Sequence, residues 1–312
     1  MNGEINEFAT RVDVPEMDAT ERVPVQQIPQ FELRDALAVE VPRPMRFPNL
    51  ADVGLVSVLI VFSVLTATIL MAGALQIHLF GVETAKQAVS DIRYALGWQL
   101  FGYLFTLTGC LLLFPNLWRT SFFRGVEWRW GAAVQARGRL MGTAVFCLLL
   151  AIVDGKLMPG PENAPIDEAF RKPEAAWFMV FFGILLAPFF EEMLFRGFLV
   201  PAFCTAYDWC AERITKRPAP WPDEDGKTVW TMPAMVAGSI LVSIPFAMMH
   251  GAQTGYSLGP FLLLFCVSLV LCWVRLSLRS LAASTLVHAS YNLLLFAIMI
   301  AGTDGFKHLD KL

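Results

Sequence analysis

Between Ala175 and Tyr207 the sequence runs AAWFMVFFGILLAPFFEEMLFRGFLVPAFCTAY. Apart from Glu191, Glu192 and Arg196 it is free of charge, and it is longer than the ~20 residues that cross a hydrocarbon core as an α-helix. A soluble core helix needs one apolar face, whereas this stretch is apolar all round. The same pattern repeats along the chain. Val53 to Val82, Tyr94 to Trp118, Leu140 to Val153, Thr228 to Val274 and Ser280 to Thr303 contain no Asp, Glu, Lys or Arg. Thr228 to Val274 is long enough for two helices, with a turn near Gly251, Gly255, Gly259 and Pro260. The reading is an all-α, polytopic transmembrane helical bundle of about seven spans. Its shortest span, the third, needs Arg139 to reach the interface along its aliphatic stem.

Composition supports lipid as the solvent. Of the 312 residues, 56% are hydrophobic and 16% charged, against about 45–50% and 25% in soluble domains. Mean hydropathy is +0.54. With 24 basic and 27 acidic residues, net charge −3 and no basic block, a nucleic-acid partner is not expected. The six cysteines are scattered, without zinc-type or disulfide-type spacing, and read as small apolar packing residues.

Four regions are expected: a disordered, acid- and proline-rich cytosolic tail over 1–50, N-terminal transmembrane helices over 51–155, a catalytic transmembrane core over 156–303, and a short tail over 304–312. The late first apolar run argues against a signal peptide. With the N-terminus cytoplasmic, sixteen Lys and Arg fall in the loops and tail on that side and seven on the other. The positive-inside rule therefore favours N-terminus in, and an odd number of spans then places the C-terminus outside.

Few side chains in these spans are ionisable, so each counts. A carboxylate at a helix centre costs about 2.5–3.5 kcal/mol on insertion scales. Glu191 and Glu192 are adjacent, and Glu192 and Arg196 are four apart and able to pair. Pro188 interrupts the backbone hydrogen bonds nearby. The bland alternative is a helix that ends at Phe190 and leaves the acids at the headgroups; the apolar run from Met193 to Ala206 speaks against it. Of four histidines, His78 and His308 fit interfacial roles. His250, in Phe246-Ala-Met-Met-His250, and His288, in His288-Ala-Ser-Tyr-Asn292, lie deep in apolar sequence. His288 and Asn292 share a helix face.

Carboxylate and imidazoles together suit the acid–base part of amide hydrolysis. Imidazole and amide N–H groups suit an oxyanion. Glu191, His250 and His288 are equally a conceivable zinc triad, with no further cofactor needed on the first reading. No serine or cysteine stands in a nucleophile setting, and the helix-borne H-E-x-x-H motif is absent.

Glu191-Glu192-x-x-x-Arg196-Gly197, Phe246-x-x-x-His250 and His288-x-x-x-Asn292, in this order on successive apolar helices, resemble the CPBP family. This family comprises the CAAX prenyl endopeptidases of the second type and the bacteriocin-processing and immunity proteins. The resemblance covers about Phe178 to Phe296. One departure is Phe265-Cys266-Val267-Ser268, where the family usually carries a small glycine. The resemblance implies an intramembrane glutamic endopeptidase without a metal, with a zinc-dependent version as the alternative. In it Glu191 activates water held by His250, His288 and Asn292 form the oxyanion site, and Glu192, Arg196 and Phe246 support them. Expected partners are membrane lipid and a peptide or protein substrate, prenylated in the CAAX case, and the expected location is a bacterial inner membrane. Two other classes stay open: a proton- or ion-coupled transporter using Glu191, His250 and His288 as a relay, and a non-catalytic immunity-type membrane protein.

Overall fold

The computed structural model describes residues 48–158, 160, 170, 173–218 and 229–306. The expected N-terminal tail lies almost wholly outside them, as do the last residues of the C-terminal one, His308 included.

Among the described residues, seven helices are long and apolar enough to cross a membrane. They are α1 (Leu50–Gln76), α2 (Ile92–Trp118), α3 (Arg137–Leu157), α4 (Ala175–Thr215), α5 (Met232–Met249), α6 (Leu258–Leu278) and α7 (Leu281–Gly302). No strand occurs among the described residues. The third span, which sequence left shortest, is a full helix because its helical turns continue through Arg139 and past Asp154. The first is shorter than its charge-free stretch: after Gln76 the chain leaves the helix, with His78, Phe80 and Gly81 in the left-handed region. Lack of charge marks apolar sequence, not helix, and here the two part company.

Short polar side chains fix where helices start. Asn49 and Asp52 form a reciprocal capping box at α1, with Asp52 N–H to Asn49 Oδ1 at 3.4 Å and Asn49 N–H to Asp52 Oδ2 at 2.9 Å. Asp91 caps α2 through the Arg93 N–H at 2.9 Å, and the Arg93 side chain beside it holds its carboxyl below the usual range. At α5, Thr231 accepts from Ala234 N–H at 3.3 Å and donates to Asp208 Oδ1 at 2.6 Å, tying the end of α4 to the start of α5. Ser280 caps α7 through Ala283 N–H at 3.2 Å and donates to Arg129 O at 2.8 Å. Only Arg279, left-handed, and Ser280 separate α6 from α7, so these two helices are antiparallel neighbours.

Three of the packing clusters among the described residues gather around α4, α6 and α7. In one, α3 meets α6 and α7 through small residues, with Ala144, Cys147 and Ala283 fully buried. Without a hydrophobic force between helices in lipid, such close backbone approach is what holds spans together. The second joins α1, α2 and α4 through Phe114, Trp118 and Phe198, with Phe114 and Trp118 centroids 4.5 Å apart. The third joins α4, α5 and α6 around Phe195, Cys204 and Phe246. Outward positions such as Ile69 and Leu112 are exposed aliphatics, as a lipid-facing surface requires. All six cysteines are free thiols, four of them buried.

α4 differs from its neighbours. At 1.5 Å per residue its 41 residues run about 60 Å, roughly twice a hydrocarbon core. It is also not uniformly α-helical: Phe182–Leu186 and Met193–Leu199 are π-helical turns, and Ala187–Glu192 lies between them. The candidate carboxylates therefore sit on a helix that continues past Phe190, against the alternative of a helix end there.

Candidate active site

The two π turns have a common cause. Ala187 N–H reaches back five residues to Phe182 O, so Gly183 O loses the donor an α-helix would give it. The next donor in that wider register belongs to residue 188, and Pro188 has none. Asn292, from α7, fills the gap, its Nδ2 donating to Gly183 O at 2.7 Å. Gly183 permits the approach, since a Cβ there would lie 2.9 Å from Phe296. The second turn repeats the arrangement. Val200 N–H bonds Phe195 O, Pro201 offers no N–H, and the stranded Arg196 O accepts from Arg275 Nε at 3.2 Å.

Between these anchors stand the acids. Glu192 and Arg196 are fully buried and paired, Nη1 to Oε1 at 2.9 Å, across the four-residue spacing that sequence suggested. Arg196 is held further by α6: its Nη2 donates to Ser268 Oγ at 2.7 Å and to Ser268 O at 3.0 Å. Its guanidinium lies 4.4 Å from the centre of the Phe246 ring, a cation–π contact in a dry setting. Phe246 also meets Phe195 edge-on and the His288 ring at 5.9 Å. Arg196 is thus received by the last residue of the Phe265–Ser268 stretch, whose hydroxyl adds an acceptor beside the backbone carbonyl.

The histidines complete the cluster. His288 Nδ1 lies 3.1 Å from Glu192 Oε1, and His250 Nδ1 lies 2.9 Å from Phe246 O. An imidazole facing an acceptor must donate, so both Nδ1 atoms carry hydrogen and both Nε2 atoms are left for chemistry. They point at one atom: Glu191 Oε2 is 3.8 Å from His250 Nε2 and 3.9 Å from His288 Nε2. These separations are too long for direct hydrogen bonds and suited to a bridging water. Glu191 Oε2 is buried without a hydrogen-bond partner among the described residues. Among those residues, no group of three or more His, Cys, Asp and Glu has the geometry to hold a metal ion.

Sequence placed Glu191, Glu192, Arg196, Phe246, His250, His288 and Asn292 in one pocket, and the structure brings the first six together. His250 is the residue that ends α5, at the turn that sequence placed near Gly251 and that runs on through Tyr256. Asn292 is attached to the first π turn rather than to the carboxylates. His78 stands at the far end of α1, in a left-handed turn. Sequence reasoning passed over Ser268, Arg275 and Tyr103. Tyr103 stacks on Phe190 with centroids 4.3 Å apart, beside Glu191, and accepts from Gln99 Nε2 at 2.8 Å. The available signal was the pair Pro188 and Pro201, each placed after a carbonyl that some other helix has to satisfy.

Residues 173–294 match the family model described as type II CAAX prenyl endopeptidase, Rce1-like. No curated protein and no solved structure matches the chain. The matched stretch contains every residue of the pocket, from Gly183 to Asn292, and the family is one of proteases. Over residues 173–294, this multi-pass membrane protein is thus similar to the type II CAAX prenyl endopeptidases.

Proposed function

We propose that the protein is an intramembrane endopeptidase that cleaves a peptide bond of a membrane-associated, CAAX-like substrate with a water activated by Glu191. The observation that carries this is the convergence of two imidazole Nε2 atoms on Glu191 Oε2, at 3.8 and 3.9 Å. Glu191 Oε2 and His250 Nε2, two acceptors facing one another, need protons between them. A water held by Glu191 and His250 supplies two hydrogens, one to each. Attack of its oxygen on the carbonyl carbon breaks one water O–H bond and passes that proton to Glu191. The carbonyl π pair moves to oxygen, and the oxyanion collapses as the C–N bond breaks. Glu191 returns the proton to the leaving nitrogen.

His288 suits the oxyanion. Glu192 holds Nδ1 and so turns the ring with Nε2 towards the space beside Glu191 Oε2, where the carbonyl oxygen of a bound substrate would lie. Asn292 uses one amide hydrogen on Gly183 O and has a second for the same oxyanion. Cleavage takes place from the cytoplasmic side of a bacterial inner membrane, with the N-terminus in the cytoplasm. The substrate is a peptide or protein chain, prenylated or otherwise lipidated, brought to the bilayer by its own anchor.

The test is hydrolysis of prenylated and unprenylated CAAX peptides by the full chain in membranes or nanodiscs. Wild type should cleave and Glu191→Gln should not, at equal membrane abundance. More than a few per cent residual activity in Glu191→Gln removes Glu191 as base. Substrate-independent proton or ion flux that needs Glu191 would favour the transporter reading instead, and neither flux nor cleavage would favour the immunity-type one.

A further inference from the structure

Arg275 is 1% exposed, and each of its three guanidinium nitrogens has an acceptor. Nη1 pairs with Glu127 Oε2 at 2.7 Å, Nη2 lies 3.4 Å from Val126 O, and Nε donates to Arg196 O at 3.2 Å. The first two acceptors belong to the segment joining α2 to α3; the third belongs to the catalytic helix. Glu127 holds its backbone at φ 55°, an unusual conformation for a residue with a side chain. It is over-determined there: its carbonyl accepts from Leu281 N–H at 3.0 Å, and its carboxylate takes Arg275. Arg275 is thus a tie from this connecting segment to the one backbone carbonyl of α4 that Val200 and Pro201 leave without a helical donor.

We propose that Arg275 is a positioning residue for the Glu191–Glu192 pair, acting through the Arg196 carbonyl, with Glu127 as its own anchor. A π turn holds one more residue than an α turn, so losing it rotates the helix on its N-terminal side against the helix on its C-terminal side by about 100°. The Arg196 backbone also sets where its guanidinium meets Glu192 and Ser268, and hence where His288 and Glu191 stand. A buried arginine that served only to join helices would have no reason to single out this carbonyl. One that supports the π turn should become less necessary when the helix supplies its own donor.

Pro201→Ala provides that donor, a backbone N–H in register for Arg196 O. The experiment is a cycle of Arg275→Lys, Pro201→Ala and the double variant in the full chain. Lysine keeps the charge for Glu127 but has no planar fork to reach both partners. Turnover should fall about tenfold or more in Arg275→Lys with KM within about twofold, and the loss should shrink to about threefold or less on the Pro201→Ala background. Equal losses on both backgrounds would overturn the proposal. The kinetic arm rests on the peptidase reading; a second arm does not. Amide hydrogen exchange over 193–201 should rise in Arg275→Lys, stay unchanged in α1 and α2, and return towards wild type in the double variant. Exchange that stays at the wild-type level, or rises equally throughout, overturns the proposal even where no substrate is cleaved. Should Arg275→Lys fail to accumulate, the neutral pair Glu127→Gln with Arg275→Gln replaces it in both arms.

Discussion

Glu192 and His288 meet through a single oxygen: His288 Nδ1 lies 3.1 Å from Glu192 Oε1, the same atom that takes Arg196 Nη1 at 2.9 Å. That oxygen of the second carboxylate is taken by two donors, while the first carboxylate faces both Nε2 atoms. Adjacent glutamates, about 100° apart on a helix, thus meet different partners.

Arg196→Ala should lower abundance and thermal stability as well as activity. It leaves Glu192 a buried carboxylate without its guanidinium, and breaking a buried pair typically costs about 3–5 kcal/mol. Replacing both partners, Glu192→Gln with Arg196→Gln, should recover much of that stability because neither charge remains. Melting curves in detergent decide. An Arg196→Ala protein that melts like wild type would mean that the pair is solvated.

Ser268→Ala should destabilise less, by about 1–3 kcal/mol, because one charge-assisted hydrogen bond is lost while Ser268 O still accepts from Arg196. Ser268→Gly, which also removes the hydroxyl, should show a similar fall. An unchanged melting temperature in both would show that the hydroxyl at 2.7 Å adds nothing to holding Arg196.

Asn292 has two proposed duties, and they can be separated. Asn292→Ala should reduce turnover by about 10²-fold or more, the usual scale for losing an oxyanion donor. It also strands Gly183 O, a structural loss that Pro188→Ala can repair by supplying an N–H in register. On the Pro188→Ala background, Asn292→Ala should therefore melt close to its parent yet remain slow. Recovery of turnover along with stability would show that Asn292 only braces the helix.

The bundle and most of the pocket were legible because lipid makes charge costly. Each uncharged run had to be a span, and each ionisable residue inside one had to have a partner, which is why Glu191, Glu192, Arg196, His250 and His288 stood out. The backbone was less legible. Helix-forming sequence looks the same in α and π register, and what decides between them here is where Pro188 and Pro201 fall relative to donors on α6 and α7. Those donors are far away in sequence, so nothing local marks Arg275 as more than a loop cation or Ser268 as more than part of an apolar span. The end of α5 at His250, by contrast, was legible in the glycines that follow it from Gly251 on.

Metal separates the two hydrolytic mechanisms most cleanly. If Glu191 and His250 act directly on water, strong chelators should leave cleavage intact, and purified protein should hold zinc well below one per chain. A zinc site would lower the pKa of its water to about 7 and fall silent, reversibly, on chelation. The arrangement of protons is informative too. Both Nδ1 atoms are donors, to Phe246 O and to Glu192, a pattern that also orients histidines at metal sites. That pattern alone does not separate the mechanisms, but removing the carboxylate beside His288 does. In glutamate catalysis, Glu192 orients His288 for the oxyanion, so Glu192→Gln should slow turnover with little effect on KM. A ligand histidine must be neutral, and Glu192→Gln would then change metal content before it changed rate. Stoichiometric zinc, with activity lost on chelation and regained on adding zinc back, would reassign Glu191, His250 and His288 as ligands.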